Sequence, residues 1–152
     1  MNNIVQGKGK EKNKNRDFAA EVEEKIYYTD DGKVGFPASG FKKAIVEVAP
    51  YLDGADKKLV KGSLQIVGNL VPLKFKTRVI NKSTCIPQRG GAPMEVWRPE
   101  FRDWTAKLDI RYNASQITPN QIVELAKLAG FHIGVGAWTP QHNGSFGMFT
   151  VA

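Results

Sequence analysis

The predicted element order is β(β)αβ, a basic irregular insertion, then βαββ. It predicts an α+β protein: a ferredoxin-like (split βαβ) sandwich with an antiparallel sheet, two helices on one face and the other face open. Three observations carry this expectation. Segments 41–52 and 117–130 place apolar residues at helical period, and residues 104–112 alternate apolar with polar as a half-buried strand does. Asp31-Gly32 separates two short β-rich runs, as a tight hairpin turn requires. A chain of 152 residues, 41% hydrophobic with 8 Phe, 4 Tyr and 3 Trp, can fill one core.

Residues 1–17 read as a disordered basic arm, because Lys, Asn, Gly and Gln alternate with almost nothing to bury. That leaves 18–152 as a single domain with an insertion at 69–103. An acidic stretch (Glu21, Glu23, Glu24) leads into strands at 25–29 and 33–36. The first helix is predicted to start at 37–40 with Ser39 as its cap, and Phe41, Ile45, Val48, Ala49 and Leu52 form its buried stripe. Pro50 should make the last turn irregular. Asp53-Gly54-Ala55-Asp56 then turns the chain into a strand at 62–67, with Leu64 and Ile66 on one face.

The insertion carries prolines at 72, 87, 93 and 99 and a Gly90-Gly91 pair, so it is expected to be irregular, with short strands at 72–79 and 94–98. Trp104, Ala106, Leu108, Ile110 and Tyr112 form the wall of the next strand. The second helix has a full set of start signals: Ile117 before the cap, Thr118 as cap, Pro119 first, Gln121 closing a capping box, and Ile122 stapling back to Ile117. Gly130 is its predicted terminator. A closing hairpin pairs 131–136 with 146–151 around a long loop.

Charge is unevenly placed. Residues 1–16 hold five basic side chains against one acidic and residues 69–103 hold seven against three, an excess of +4 in each, while the rest of the chain carries −1 and brings the net charge to +7. Clustered cations displace condensed counterions from phosphates, so the distribution favours a polyanionic partner; simple solubility is the alternative. The single Cys85 excludes an internal disulfide framework and cysteine-based zinc sites. No apolar run approaches the roughly 20 residues of a membrane span and the first residues are polar, so a soluble cytoplasmic protein is expected, without cofactor or metal. His132 and His142 lack a paired nucleophile, and no enzymatic activity is predicted.

Two constellations suit a phosphate backbone. Lys42 and Lys43 sit in the first turn of a helix, where the dipole disfavours cations by roughly 0.3 to 1 kcal/mol each. With Ser39 and the free amides they could hold a phosphate, or they could be solvated lysines flanking a buried Phe41. Gly134, Gly136, Gly144 and Gly147 could form an anion nest with Phe146 as a stacking ring, or could merely bend the chain. The insertion interleaves cations (Lys74, Lys76, Arg78, Arg89, Arg98, Arg102) with Phe75, Trp97, Phe101 and Trp104, the composition of a single-strand groove; an alternating strand gives the same spacing.

The stretch 37–44, Pro-Ala-Ser-Gly-Phe-Lys-Lys-Ala, resembles the helix start of the RAMP superfamily, the ferredoxin-like RNA-binding subunits of CRISPR effector complexes. Gly134-Val135-Gly136 with Gly144-Ser145-Phe146-Gly147 resembles that superfamily's C-terminal glycine-rich loop. The resemblance covers about 25 residues and implies that Ser39, Lys42 and Lys43 contact an RNA backbone beside the glycine loop. Ala38 and Lys43 depart from its pattern, as does the lack of Lys or Arg after Gly130. The carboxyl-terminal half is also similar to small bacteriophage proteins. The expected function is sequence-tolerant binding of single-stranded RNA or DNA. Further partners considered are self-association along the strand and docking to a host or phage protein complex. The alternative is an assembly module, such as a phage-encoded inhibitor or particle component.

Overall fold

The computed structural model describes residues 16–86 and 89–152; most of the predicted basic arm lies outside them. In chain order the elements are α1 (Phe18–Glu24), β1 (Tyr27–Tyr28), β2 (Val34–Pro37), α2 (Ala38–Glu47), α3 (Lys57–Ser63), β3 (Leu64–Ile66), β4 (Leu70–Lys74), β5 (Thr77–Cys85), β6 (Met94–Arg102), β7 (Thr105–Ala106), β8 (Ile110–Tyr112) and α4 (Pro119–His132). The protein is α+β with antiparallel sheets. Among the described residues no helix is long and apolar enough to cross a membrane.

The chain divides into two compact units. The first joins the described residues up to Ile26 with Thr77–Arg102, and the second holds Tyr27–Lys76 and Asp103–Ala152.

In the first unit, β5 and β6 form a ladder of nine pairs, from Thr77↔Arg102 to Cys85↔Met94. The central insertion is therefore regular, contrary to the proline argument. Pro93 lies outside the ladder, and Pro99 sits in a two-stranded ribbon, where an outward-facing position needs no N–H. Helix α1 was unforeseen. Asp17 caps it by accepting from the Ala20 amide at 3.2 Å, and Val22 is fully buried. Arg16 and Asp17, placed in the arm by composition, belong to this start.

The second unit holds the main core. Phe41, Ala44, Ile45, Val48 and Ala49 are buried along α2 and its continuation, a 3-10 turn at Ala49–Tyr51 that contains Pro50 and is the irregular last turn expected of it. Helix α4 supplies Ile122, Leu125 and Ala129 to the same core, with Ile117 before it. Its capping box forms: the Thr118 Oγ1 accepts from the Gln121 amide at 3.2 Å, and Gln121 Oε1 accepts from the Thr118 amide at 2.9 Å.

Several boundaries differ from expectation. Asp56 accepts from the Leu59 amide at 2.8 Å and caps α3, so residues 62 and 63 are helical and the strand starts at Leu64. Helix α4 runs to His132, and the left-handed residue that ends it is Gly134, φ 73°, not Gly130. The predicted closing hairpin is a loop instead, with positive φ at Gly134, Gly136, Trp138, Asn143 and Gly147 interrupting any ladder.

The split βαβ arrangement is not confirmed. The four-stranded sheet runs in the order β1-β2-β4-β7, so β2 and β4, which lie on either side of the α2–α3–β3 segment in the chain, pair directly and antiparallel. A split βαβ unit places a third strand between those two. Strands β3 and β8 form a separate two-stranded sheet.

Candidate nucleic-acid interface

The four-stranded sheet has two unlike faces. Phe36 meets Phe41 edge to face at 5.5 Å, and Phe36, Leu73 and Ala106 pack around buried Val71, Ala38 and Phe41. Side chains alternate along a strand, so Gly35, Pro72, Lys74 and Thr105 belong to the opposite, outer face. Register places Tyr27 beside Gly35, Gly35 beside Pro72, and Lys74 beside Thr105. A Cβ at Gly35 would meet the Leu70 Cβ and Thr29 Cγ2 at 3.3 Å; Gly35 is buried beside these side chains, and the exposed members of the row are Tyr27, Pro72 and Lys74. Tyr27 stands 52% exposed at one end. Exposed Lys74 lies two residues beyond exposed Pro72, about 7 Å along the strand. An exposed ring, an exposed proline and a cation thus share one face. Lys74 and Lys76 were singled out by charge; Tyr27 was missed, because a two-residue strand leaves no alternation to read.

The α2 lysines diverge. Lys42 Nζ donates to Gln65 Oε1 at 2.9 Å, and Gln65 is the cross-strand partner of Arg111. Lys43 is exposed on the side of Glu47, whose Oε2 accepts from Lys57 Nζ at 2.8 Å. Ser39 is exposed in the second position of the helix. The cap is Pro37, with no side-chain hydrogen bond, which corrects the expected role of Ser39.

Hydrogen bonding from Lys57, against some opposing desolvation, holds the Glu47 carboxyl below the usual carboxylate range, with Lys57 and Lys43 adding charge attraction. A depressed carboxylate contributes stability above its unfolded pKa and loses it as pH falls through the folded value. Wild type should therefore lose more stability on acidification than Glu47→Gln does, as read from urea midpoints at neutral and acidic pH. Parallel losses in the two proteins would show that the Lys57 contact contributes nothing.

Four of the insertion's seven cations have partners within the ribbon unit. Arg78 Nη2 donates to Glu23 Oε1 at 2.6 Å, Arg102 Nε to Glu100 Oε1 at 2.9 Å, and Arg98 Nη1 to Ser83 Oγ at 2.9 Å. Lys82 pairs with Glu95 at 2.8 Å, and Arg89 lies exposed in the turn beside Gly90. Residues 16–26 and 77–102 hold seven cations and six carboxylates, so the local excess seen in 69–103 is nearly cancelled among the described residues of the unit.

The glycine loop folds onto its own backbone. A Cβ on Gly144 would overlap the Trp138 carbonyl, and one on Gly147 the Val135 carbonyl. The Val135 amide donates to Gly147 O at 3.0 Å, Phe146 to Trp138 O at 3.0 Å, and Gly134 to Ala129 O at 2.8 Å. These amides are committed internally, so close chain packing explains the glycines without an anion. Phe146 is exposed. Trp104 is not available for stacking, since it closes a ring triangle with Phe41 and Phe149 at 6.1 to 6.3 Å.

Comparison of the chain with protein-family models, curated proteins and solved structures finds no match.

One further group was not anticipated. His132, expected in a strand, ends α4 and stacks on Tyr51 at 4.4 Å and 14°, with Phe131 edge-on at 5.1 Å. Phe131 and Tyr51 are largely exposed. Among the described residues no three His, Cys, Asp or Glu side chains converge as a metal site.

Proposed function

We propose that this protein binds single-stranded RNA or DNA through the outer face of its four-stranded sheet, as a cytoplasmic, non-catalytic and sequence-tolerant binder. The observation that carries the proposal is Tyr27, half-exposed, with exposed Pro72 and Lys74 on the same face of the sheet. A base can stack on an exposed ring whatever its identity, and a lysine at strand spacing can meet the neighbouring phosphate. Lys42 and Arg111, joined through Gln65, and exposed Phe146 are further contacts in the same unit. Kinship with the RAMP subunits, drawn from the α2 start and the glycine loop, belongs to the same proposal.

Fluorescence anisotropy with labelled oligonucleotides of about 15 nucleotides tests it. Tyr27→Ala should weaken binding by about 5- to 100-fold, the equivalent of one lost base stack. Lys74→Ala should flatten the salt dependence by about 0.7 in the log-log slope, one phosphate contact on a single strand. Binding that ignores salt, or that is unchanged in both variants, would overturn the proposal. An alternative role as a protein-interaction or assembly module is favoured by the Tyr51–His132–Phe131 group, because exposed aromatics are enriched in protein interfaces. Stoichiometric co-purification with a protein, free of nucleic acid, would decide for it.

A further inference from the structure

In the first unit a short acidic helix lies on a basic, aromatic ribbon. We propose that the ribbon surface under α1 is a second site for single-stranded nucleic acid, and that α1 occupies it as an internal stand-in for the strand. This rests on the nucleic-acid reading above.

Three contacts carry it. The Phe18 ring lies on Trp97 with centroids 4.5 Å apart and planes 34° apart, where a base would stack. The Lys82 ammonium sits 5.5 Å from the centre of the same indole, and Lys82 and Trp97 are cross-strand partners. The Glu23 carboxylate takes the Arg78 guanidinium at 2.6 Å, as a phosphate oxygen would; Arg78 lies four residues before Lys82, on the same face of β5. Ring on ring and anion on arginine reproduce the two contacts that a nucleotide makes.

The helix is built to rest there and to leave. Its seven residues fall short of the roughly 12 to 15 that sustain an isolated helix in water, so it exists through docking. Buried Val22, together with Arg16 and Lys25 donating to the Glu95 and Trp97 carbonyls, holds it against the β6 edge. With Glu21, Glu23 and Glu24 the helix also nearly neutralises the ribbon, and Glu23 holds Arg78, so a polyanion gains that guanidinium only when it displaces the carboxylate. Hydrophobic burial opposes that exchange, and counterion release from the incoming strand favours it.

The test uses the full chain and labelled oligothymidylate or oligouridylate of about 15 nucleotides. Glu23→Gln should tighten binding by about 3- to 10-fold at low salt, and adding Arg78→Ala should remove the gain. In a Tyr27→Ala, Lys74→Ala background the gain should persist, since it arises on the other unit. In the wild type, amide exchange within residues 18–24 should accelerate when the oligonucleotide is added; a purely structural helix would be unaffected or slowed. Unchanged or weaker binding by Glu23→Gln, with no acceleration in α1, overturns the second site. If the wild type still binds through Tyr27 and Lys74 in that case, the sheet face stands alone. If neither protein binds oligonucleotide, both proposals fall.

Discussion

Gly147→Ala should lower the unfolding free energy by about 3 kcal/mol or more, one of the largest losses expected from a single methyl in this chain. Two costs combine. The residue sits at φ 70°, where a side chain adds roughly 1 to 2 kcal/mol of backbone strain. Its new Cβ would also overlap the Val135 carbonyl, forcing apart the chains joined by the 3.0 Å bond from the Val135 amide to Gly147 O. Gly136→Ala is the control: φ is 91°, but nothing lies within 4 Å of the added carbon, so the loss should stay near 1 kcal/mol. Urea denaturation followed by circular dichroism measures both. Equal losses in the two variants would mean that the close approach at Gly147 contributes nothing.

The same loop shows where sequence reading succeeds and where it stops. Signals confined to one turn of chain are legible: the Thr118–Gln121 capping box forms as expected, and so does the Asp-Gly turn, with Gly32 at φ 76°. The Phe41–Ile45–Val48 stripe is buried because its period alone dictates one face. Alternation survives in burial from Trp104 to Ile110, although the ladder breaks in the middle and Tyr112, expected in the same wall, is exposed. Ile66 pairs with Ile110 and Leu73 with Ala106, so six residues on one strand oppose three on the other, and Gly68 at φ 89° absorbs part of the slip. Nothing within 104–112 encodes that mismatch.

Non-local pairing hid the candidate sites. The acidic stretch at 21–24 and the cations at 78–102 are far apart in the chain, and local charge counts give the basic segment the character of an uncovered grip. Only the docking of α1 reveals that Glu23 belongs to Arg78 and Phe18 to Trp97. Glycines at 134 to 147 are read equally well as nest or as bend, since both need the left-handed region; the Val135 and Trp138 carbonyls favour chain packing. Tyr27 acquires significance only from its partner Gly35, eight positions on.

Phe41→Ala should cost about 3 to 5 kcal/mol, because the ring is 2% exposed and touches Phe36, Trp104 and Phe149 at once. Three aromatic neighbours cannot collapse far into the space it leaves, and α2 loses its main contact with the inner face of the sheet. The outer face is separated from this damage by the thickness of the sheet. Molecules of Phe41→Ala that remain folded should therefore bind single-stranded oligonucleotide as the wild type does, at temperatures well below the lowered midpoint. Tyr27→Ala should behave in the opposite way, with binding lost and stability within about 0.5 kcal/mol of wild type, since an exposed ring on a strand end contributes little to the core. Paired thermal melts and anisotropy titrations on the two variants read both quantities. If Phe41→Ala loses binding while still folded, the strand is held by the packed side of α2 rather than by the open row of Tyr27, Pro72 and Lys74.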